Sequence, residues 1–381
     1  MKVIHICMVA YLDGWGYQDN LLPDYMVKAG HDVVVVSSVN HFPSFLKNEE
    51  KEKIQAEGNE YYYNNVHIYR IKTKLDTSNF NFYCSGLSNI LKKEKPDVIF
   101  HHDVNCTTML QCWWYCKKNP NTKLFVDNHA DYINQSKRKL WNLLVPHGLL
   151  RLCVKLISPM VMKFYGVSPE RCLYFEKIYG APHSKVSLLP IGSDTDLSDA
   201  LSNDIQSLRA KYGIPIDAKV IISGGKMGKD KGTTNLIDAV GNIYKDNNKV
   251  RLMLFGSFTD DDTKLLAEKS DYVFIQGWCN REKTLELLKL SDIACWPIHH
   301  TTLIEDAIGC AIPIIVRETG NTSHLVDGNG EFVESGKQDE LVIAVKKIFD
   351  DLNSYKSNAL IKKEKLSYKT IVSQIESDCK Q

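Results

Sequence analysis

Four consecutive valines, Val33 to Val36, follow Gly30-His31-Asp32, and apolar β-branched runs of this kind recur along the whole chain. A strand that is apolar without alternation belongs in a sheet covered on both faces, which is the habit of parallel sheets. Val3 to Val9, Val66 to Arg70, Pro96 to Phe100 and Leu124 to Asp127 read the same way. Helical patterns lie between them, at Leu21 to Ala29 and from Cys84 to Lys93. The second half repeats this grammar with Val220 to Ser223, Val250 to Phe255, Val273 to Gln276, Ile293 to Trp296 and Ile312 to Arg317. Strands alternating with helices predict an α/β fold of doubly wound, Rossmann-like parallel sheets, whose ligands gather at the carboxyl ends of the strands. At 381 residues the chain exceeds one ordinary core. We therefore expect two domains, residues 1–190 and 191–365, with Pro190-Ile191-Gly192-Ser193-Asp194 at the junction. Apolar residues at helical spacing from Leu366 to Cys379 predict a last helix, residues 366–381, that crosses back to the first domain.

Composition removes several function classes. With 44% hydrophobic and 24% charged residues the chain reads as globular, and its formal charge of +1 provides no global field for nucleic acid. No window reads as a run of ~18 apolar residues, and the chain opens on a strand, Met1-Lys2-Val3-Ile4-His5-Ile6, in place of a signal peptide. Eleven cysteines, an odd number, are scattered through apparent core segments. Cys112 and Cys116 stand alone one helical turn apart, and there is no Cys-x-x-Cys pair. That usage predicts reduced, buried thiols and a cytoplasmic location.

One stretch carries chemistry. Val220-Ile221-Ile222-Ser223-Gly224-Gly225-Lys226-Met227-Gly228-Lys229-Asp230-Lys231-Gly232 is a β-branched run ending in glycines, after which a helix is expected from Thr233 to Tyr244. Glycines allow a turn and a close backbone approach, and a helix start offers unpaired N–H groups with partial positive charge. Lys226 and Lys231 add two full charges there, a combination suited to a diphosphate. The plainer alternative is a surface turn bearing solvated lysines. The stretch is neither a Walker A loop, having no Gly-Lys-Ser/Thr, nor a Rossmann dinucleotide fingerprint.

Taken in order, these segments resemble the family 4 glycosyltransferases of group 1, retaining enzymes of the two-Rossmann GT-B architecture. The resemblance spans nearly the whole chain and is strongest from Pro190 to Val333. In that family a Gly-Arg/Lys turn followed five residues later by Lys-Gly binds the donor diphosphate; Gly225, Lys226 and Lys231-Gly232 match it here. Gly277 and Trp278 match the segment beside the nucleobase. Ala307 to Ile315 resembles the family's turn after the ribose-binding acid, and Leu325 to Val333 its late glycine turn. Aligned on Pro313, Asp306 takes the place of that acid with Glu305 beside it, and the resemblance leaves open which of the two meets the ribose. The family's first glutamate is missing, since Ile298 occupies its position and His299-His300-Thr301-Thr302-Leu303 its loop. Thr301 and Thr302 read as donors to diphosphate or sugar, or else as a plain helix cap.

In the first domain Gly14, Gly16 and Tyr17 lie in a segment resembling the family's glycine loop, near donor phosphate and acceptor. His129 resembles the histidine that faces the transferred sugar, with Asp131, and more weakly His102, as acceptor contacts. The resemblance thus implies sugar transfer from a nucleotide-diphosphate donor, UDP- or GDP-linked, with retained configuration. Lys226, Lys231 and His129 would carry it, without cofactor or metal. Asp260-Asp261-Asp262 reads as a solvated helix start, not a metal motif. Residues 136–163 hold six basic residues, no acids, Trp141 and many leucines. Such a stretch suits peripheral contact with the inner face of an anionic plasma membrane, and with it a polyprenyl-diphosphate-linked saccharide acceptor in surface polysaccharide assembly. An ordinary core helix with a basic outer face is the alternative. Two other functions fit the architecture: a nucleotide-sugar epimerase, which would convert donor without acceptor, and a non-catalytic partner subunit, which would bind nucleotide without turning it over.

Overall fold

The structure is a computed structural model that describes residues 1–42, 46–56, 58–74 and 83–381. It divides into two compact units, Met1–Pro190 with Ile371–Gln381, and Ile191–Thr370.

The strands of the first unit are β1 Lys2–Cys7, β2 Asp32–Ser38, β3 Glu60–Tyr63, β4 Val66–Ile71, β5 Thr73–Lys74, β6 Tyr83–Cys84, β7 Val98–His101, β8 Lys123–Asn128, β9 Val161–Gly166 and β10 Val186–Leu188. Eight of them form one sheet in the order β10-β9-β8-β7-β1-β2-β4-β3, parallel except for the edge pair β3 and β4. The four valines of β2 are each at most 1% exposed, and burying a side chain of this class is worth about 1.5–3 kcal/mol. Cys84 belongs to the short hairpin β5–β6 and not to the helix expected there, which runs Leu87–Glu94 after a left-handed Gly86. The strand order reverses at β1, flanked by β2 and β7. The last helix, Tyr368–Asp378, reaches this unit through a His31–Glu376 contact at 2.8 Å and through Tyr165, whose hydroxyl donates to Asp378 at 2.6 Å.

The second unit holds β11 Lys219–Met227, β12 Val250–Phe258, β13 Val273–Ile275, β14 Ile293–Trp296, β15 Ile314–Arg317 and β16 Gly330–Val333. They form one all-parallel sheet in the order β13-β12-β11-β14-β15-β16. The order reverses between β11 and β14, which is where a doubly wound sheet opens a crevice.

Residues 139–157 form one helical run in three pieces: Lys139–Leu144, a wider-pitched Val145–Leu150, and Arg151–Ile157. This run corrects the expectation from sequence. It is long and apolar enough to cross a membrane, and only 28% of its most apolar window is buried. Leu140, Leu143, Leu144, Leu152 and Leu156 point outward.

Candidate active site

The glycine stretch of the second unit is not where β11 ends. Gly224, Gly225 and Lys226 stay in the strand and pair in register with Phe255, Gly256 and Ser257 of β12. A side chain at Gly224 would sit 2.3 Å from the Phe255 ring, and one at Gly256 would sit 2.1 Å from the Gly225 carbonyl. These glycines therefore let two strands run close together, and the turn comes only at Gly228. A short 3-10 turn, Lys229–Lys231, then leads through a left-handed Gly232 (φ 74°) into the helix Thr233–Asp246. The Thr233 N–H donates to the Gly228 carbonyl at 3.1 Å. The helix start has no side-chain cap, so among the described residues the Thr234 and Asn235 amides stay available.

Three lysines lie on this segment, and their neighbours treat them differently. Lys229 pairs with Asp262 at 2.6 Å and Lys231 with Asp230 at 3.2 Å. Lys226 is exposed, and its side chain makes no ion pair or hydrogen bond among the described residues. The loop after β14 packs against the same place. A Cβ at Gly232 would stand 2.7 Å from Ile298, and one at Gly225 would stand 3.3 Å from Leu303. His299 of this loop sits below the ordinary imidazole range because of burial and then the Lys231 charge. Thr302 occupies the N-cap of the short helix Leu303–Gly309 but makes no cap bond.

Glu305 and Asp306 separate cleanly. Asp306 takes a two-pronged ion pair from Arg281, 3.1 Å and 3.0 Å, with Asp194 3.6 Å from the same guanidinium. Burial pushes the Asp306 carboxyl up, against the opposing pull of Arg281. Glu305 is 1% exposed; its Oε1 meets His300 Nε2 at 2.7 Å, while its buried Oε2 has no partner. Ser193 fixes the helix by donating to the Glu305 carbonyl at 2.6 Å. Gly277 is left-handed, accepts from the Gly256 N–H at 2.6 Å, and leaves Trp278 78% exposed. Trp278, Tyr212 and Lys283 line a groove of about 510 Å³.

In the first unit the carboxyl ends of β1, β7 and β8 carry the expected residues. Gly14 (φ 75°) opens the loop after β1, Gly16 follows, and Tyr17 stacks on Trp15 with ring centres 5.7 Å apart. His129 Nε2 lies 3.3 Å from Asp127 Oδ2, and the same oxygen lies 3.0 Å from His102 Nδ1. His102 Nε2 is in turn 3.0 Å from His5 Nδ1. The Asp103 N–H, held by a left-handed Asp103, donates to Asp127 Oδ1 at 2.6 Å. His102 is thus 5% exposed with both ring nitrogens engaged. It has no nitrogen free for an acceptor. Asp131 is also buried, accepting from the Ile133 N–H at 2.9 Å and lying 3.5 Å from Arg171. The facing atoms of His102, Asp127 and His129 lie within 4.8 Å of one another, a spacing that could hold a metal ion, and Asp127 Oδ2 stands within hydrogen-bond distance of both rings.

Sequence reasoning missed Asp127, Arg281 and His300. Asp127 and His129 stand two apart at a strand end, so period-2 alternation puts them on one face; that signal was available. Arg281 carries none, since its partners are distant in sequence.

The model for glycosyl transferases group 1 matches residues 204–366, and that for Glycosyltransferase Family 4 matches residues 22–197. One model matches in each half of the chain, and both describe glycosyltransferases. It is 24% identical over 177 residues to a D-inositol 3-phosphate glycosyltransferase of Xylanimonas cellulosilytica, covering 42% of this chain and 41% of that protein. The chain thus spans under half the length of the curated relative it matches. Among solved structures, Anabaena HepE in complex with UDP aligns over 99% of both chains, with TM-score 0.68 and 17% identity. Sucrose-phosphate synthase of Thermosynechococcus elongatus aligns over 99% of this chain and 98% of its own, with TM-score 0.65 and 15% identity. These likenesses agree on the fold, two parallel-sheet α/β domains of the GT-B type.

Proposed function

We propose that this glycosyltransferase moves a hexosyl group from a nucleotide-diphosphate sugar to a saccharide acceptor, with retained configuration and without a metal. One observation in the second unit carries the reading. Lys226 is unpaired, the helix start beside it is uncapped, and Glu305 keeps a buried oxygen with no donor. An anion answers the first two and a vicinal diol answers the third, and a nucleoside diphosphate brings both. Lys226 and Lys231 then hold the diphosphate as it leaves with added charge. Thr301 and Thr302 stand beside it, and Gly277 with Trp278 take the base. Glu305 Oε2 accepts from the ribose, because Asp306 is committed to Arg281. Gly14, Gly16, Tyr17 and His129 of the first unit serve the transferred sugar and the acceptor.

UDP is the first base to try, since HepE binds UDP and this chain shares its fold. Thermal melts with UDP, GDP and dTDP test the reading. One diphosphate at 100 times its dissociation constant should add about 2.7 kcal/mol of stability. No stabilisation by any of the three would end the proposal.

The acceptor reading rests on residues 136–163. Outward Leu140, Leu143, Leu144, Leu152 and Leu156 accompany Lys137, Arg138 and Lys139, a pairing that suits the surface of an anionic bilayer at the inner face of a plasma membrane. A lipid-linked saccharide in surface polysaccharide assembly is the acceptor this favours. The protein should co-sediment with anionic liposomes and lose binding as salt rises; no binding at low salt would remove this part.

A further inference from the structure

Outside the nucleotide site, the most unusual group is the buried line His5, His102, Asp127 and His129. It crosses the carboxyl ends of β1, β7 and β8, where the first sheet reverses its strand order. Its inner end is dry, with His5 and Asp127 at 0% exposure, whereas a third of the His129 side chain (34%) is exposed. A buried carboxylate is stable only when its charge is answered. Asp127 Oδ1 accepts the Asp103 N–H, and Oδ2 is shared by two imidazoles. His129 spends Nε2 on Asp127, and its Nδ1 has no partner among the described residues.

We propose that Asp127 is a positioning residue that keeps His129 an imidazolium, aiming its free Nδ1–H outward as a fixed cationic donor to a sugar hydroxyl. His102, braced by His5, keeps Asp127 from turning away. The charged groups facing His129 are Asp127, Asp103 and Arg171. Burial alone would depress the His129 pKa, but the charge and hydrogen bond of Asp127, with Asp103, raise it in spite of Arg171. Burial likewise opposes the Asp127 carboxylate, and the charges of His129 and His102 hold it low. His5, remote from solvent, is held well below the imidazole range by burial, which suits a neutral brace.

The use of this donor in transfer rests on the function proposed above; its charge does not. The two are tested apart. In the wild-type protein, ring-labelled histidine followed by NMR should show His129 titrating above the ordinary imidazole midpoint. A midpoint at or below the ordinary value would overturn the assignment even if no transfer were ever detected. In the activity arm the imidazolium is present below the His129 midpoint and lost above it, so kcat/KM should fall on an alkaline limb. Asp127→Asn removes the charge while preserving shape. It should move that limb down by about one to two pH units, because an adjacent opposite charge is worth that much. Above both midpoints each unit is about a tenfold loss of the charged form. A folded Asp127→Asn protein with its limb in place would sink the proposal, as would a chelator that moved the wild-type limb. A merely structural Asp127 would lower stability and leave the limb where it was.

Discussion

The carboxyl ends of the two sheets handle charge in opposite ways. In the first unit the buried Asp127 carboxylate is answered from within, by the Asp103 N–H and by His102 and His129, and the line from His5 to His129 ends at a partly exposed ring. In the second unit an exposed lysine has no partner, a helix start has no cap, and a buried carboxylate oxygen has no donor. The difference separates two kinds of site. Groups already satisfied contribute to folding and to the orientation of what they hold. Groups left unsatisfied weaken the isolated protein slightly and become useful when a ligand arrives.

The largest test of this contrast lies inside the second unit, where both kinds meet on adjacent residues. Asp306 is satisfied by Arg281 and Glu305 is only half satisfied. Asp306→Ala leaves the Arg281 guanidinium in a largely buried place with only the more distant Asp194. Removing one partner of such a pair costs about 3–5 kcal/mol, and we expect the low end because Asp194 remains. Chemical denaturation should show that loss as a lower midpoint with an unchanged slope. A loss below about 0.5 kcal/mol, the level of ordinary surface substitutions, would mean that Asp306 is not built in as the geometry implies.

Much of this arrangement was legible in the chain. The unbroken valines of β2 and the β-branched start of β11 announced parallel strands because burial on both faces leaves no room for alternation. Gly224 and Gly225 misled, since a glycine pair before a lysine reads as a turn. Only the register with Phe255 and Gly256 shows that the pair admits a neighbouring strand. His129 and Lys226 were visible as polar residues beyond apolar runs. The state of each was not, because it depends on partners the local pattern does not bring together: Asp127 on the same strand end, and no acid at all beside Lys226. The choice between Glu305 and Asp306 was closed to the sequence for the same reason. Adjacent residues on a helix point about 100° apart, and what settles their roles is Arg281, twenty-five positions from Asp306.

The smaller test runs the other way, on a group the fold does not need. Lys226→Ala removes an exposed side chain that touches no acid, so unfolding free energy should stay within about 0.5 kcal/mol of the parent. Transfer should suffer instead. The leaving diphosphate gains charge in the transition state, and loss of one preorganised donor costs about 2–4 kcal/mol in kcat/KM. The contrast requires both halves of that result. Unchanged turnover would mean that the unpaired lysine is a solvated surface charge. A large stability loss would mean that Lys226 was satisfied after all, and the two sheet ends would then no longer differ in kind.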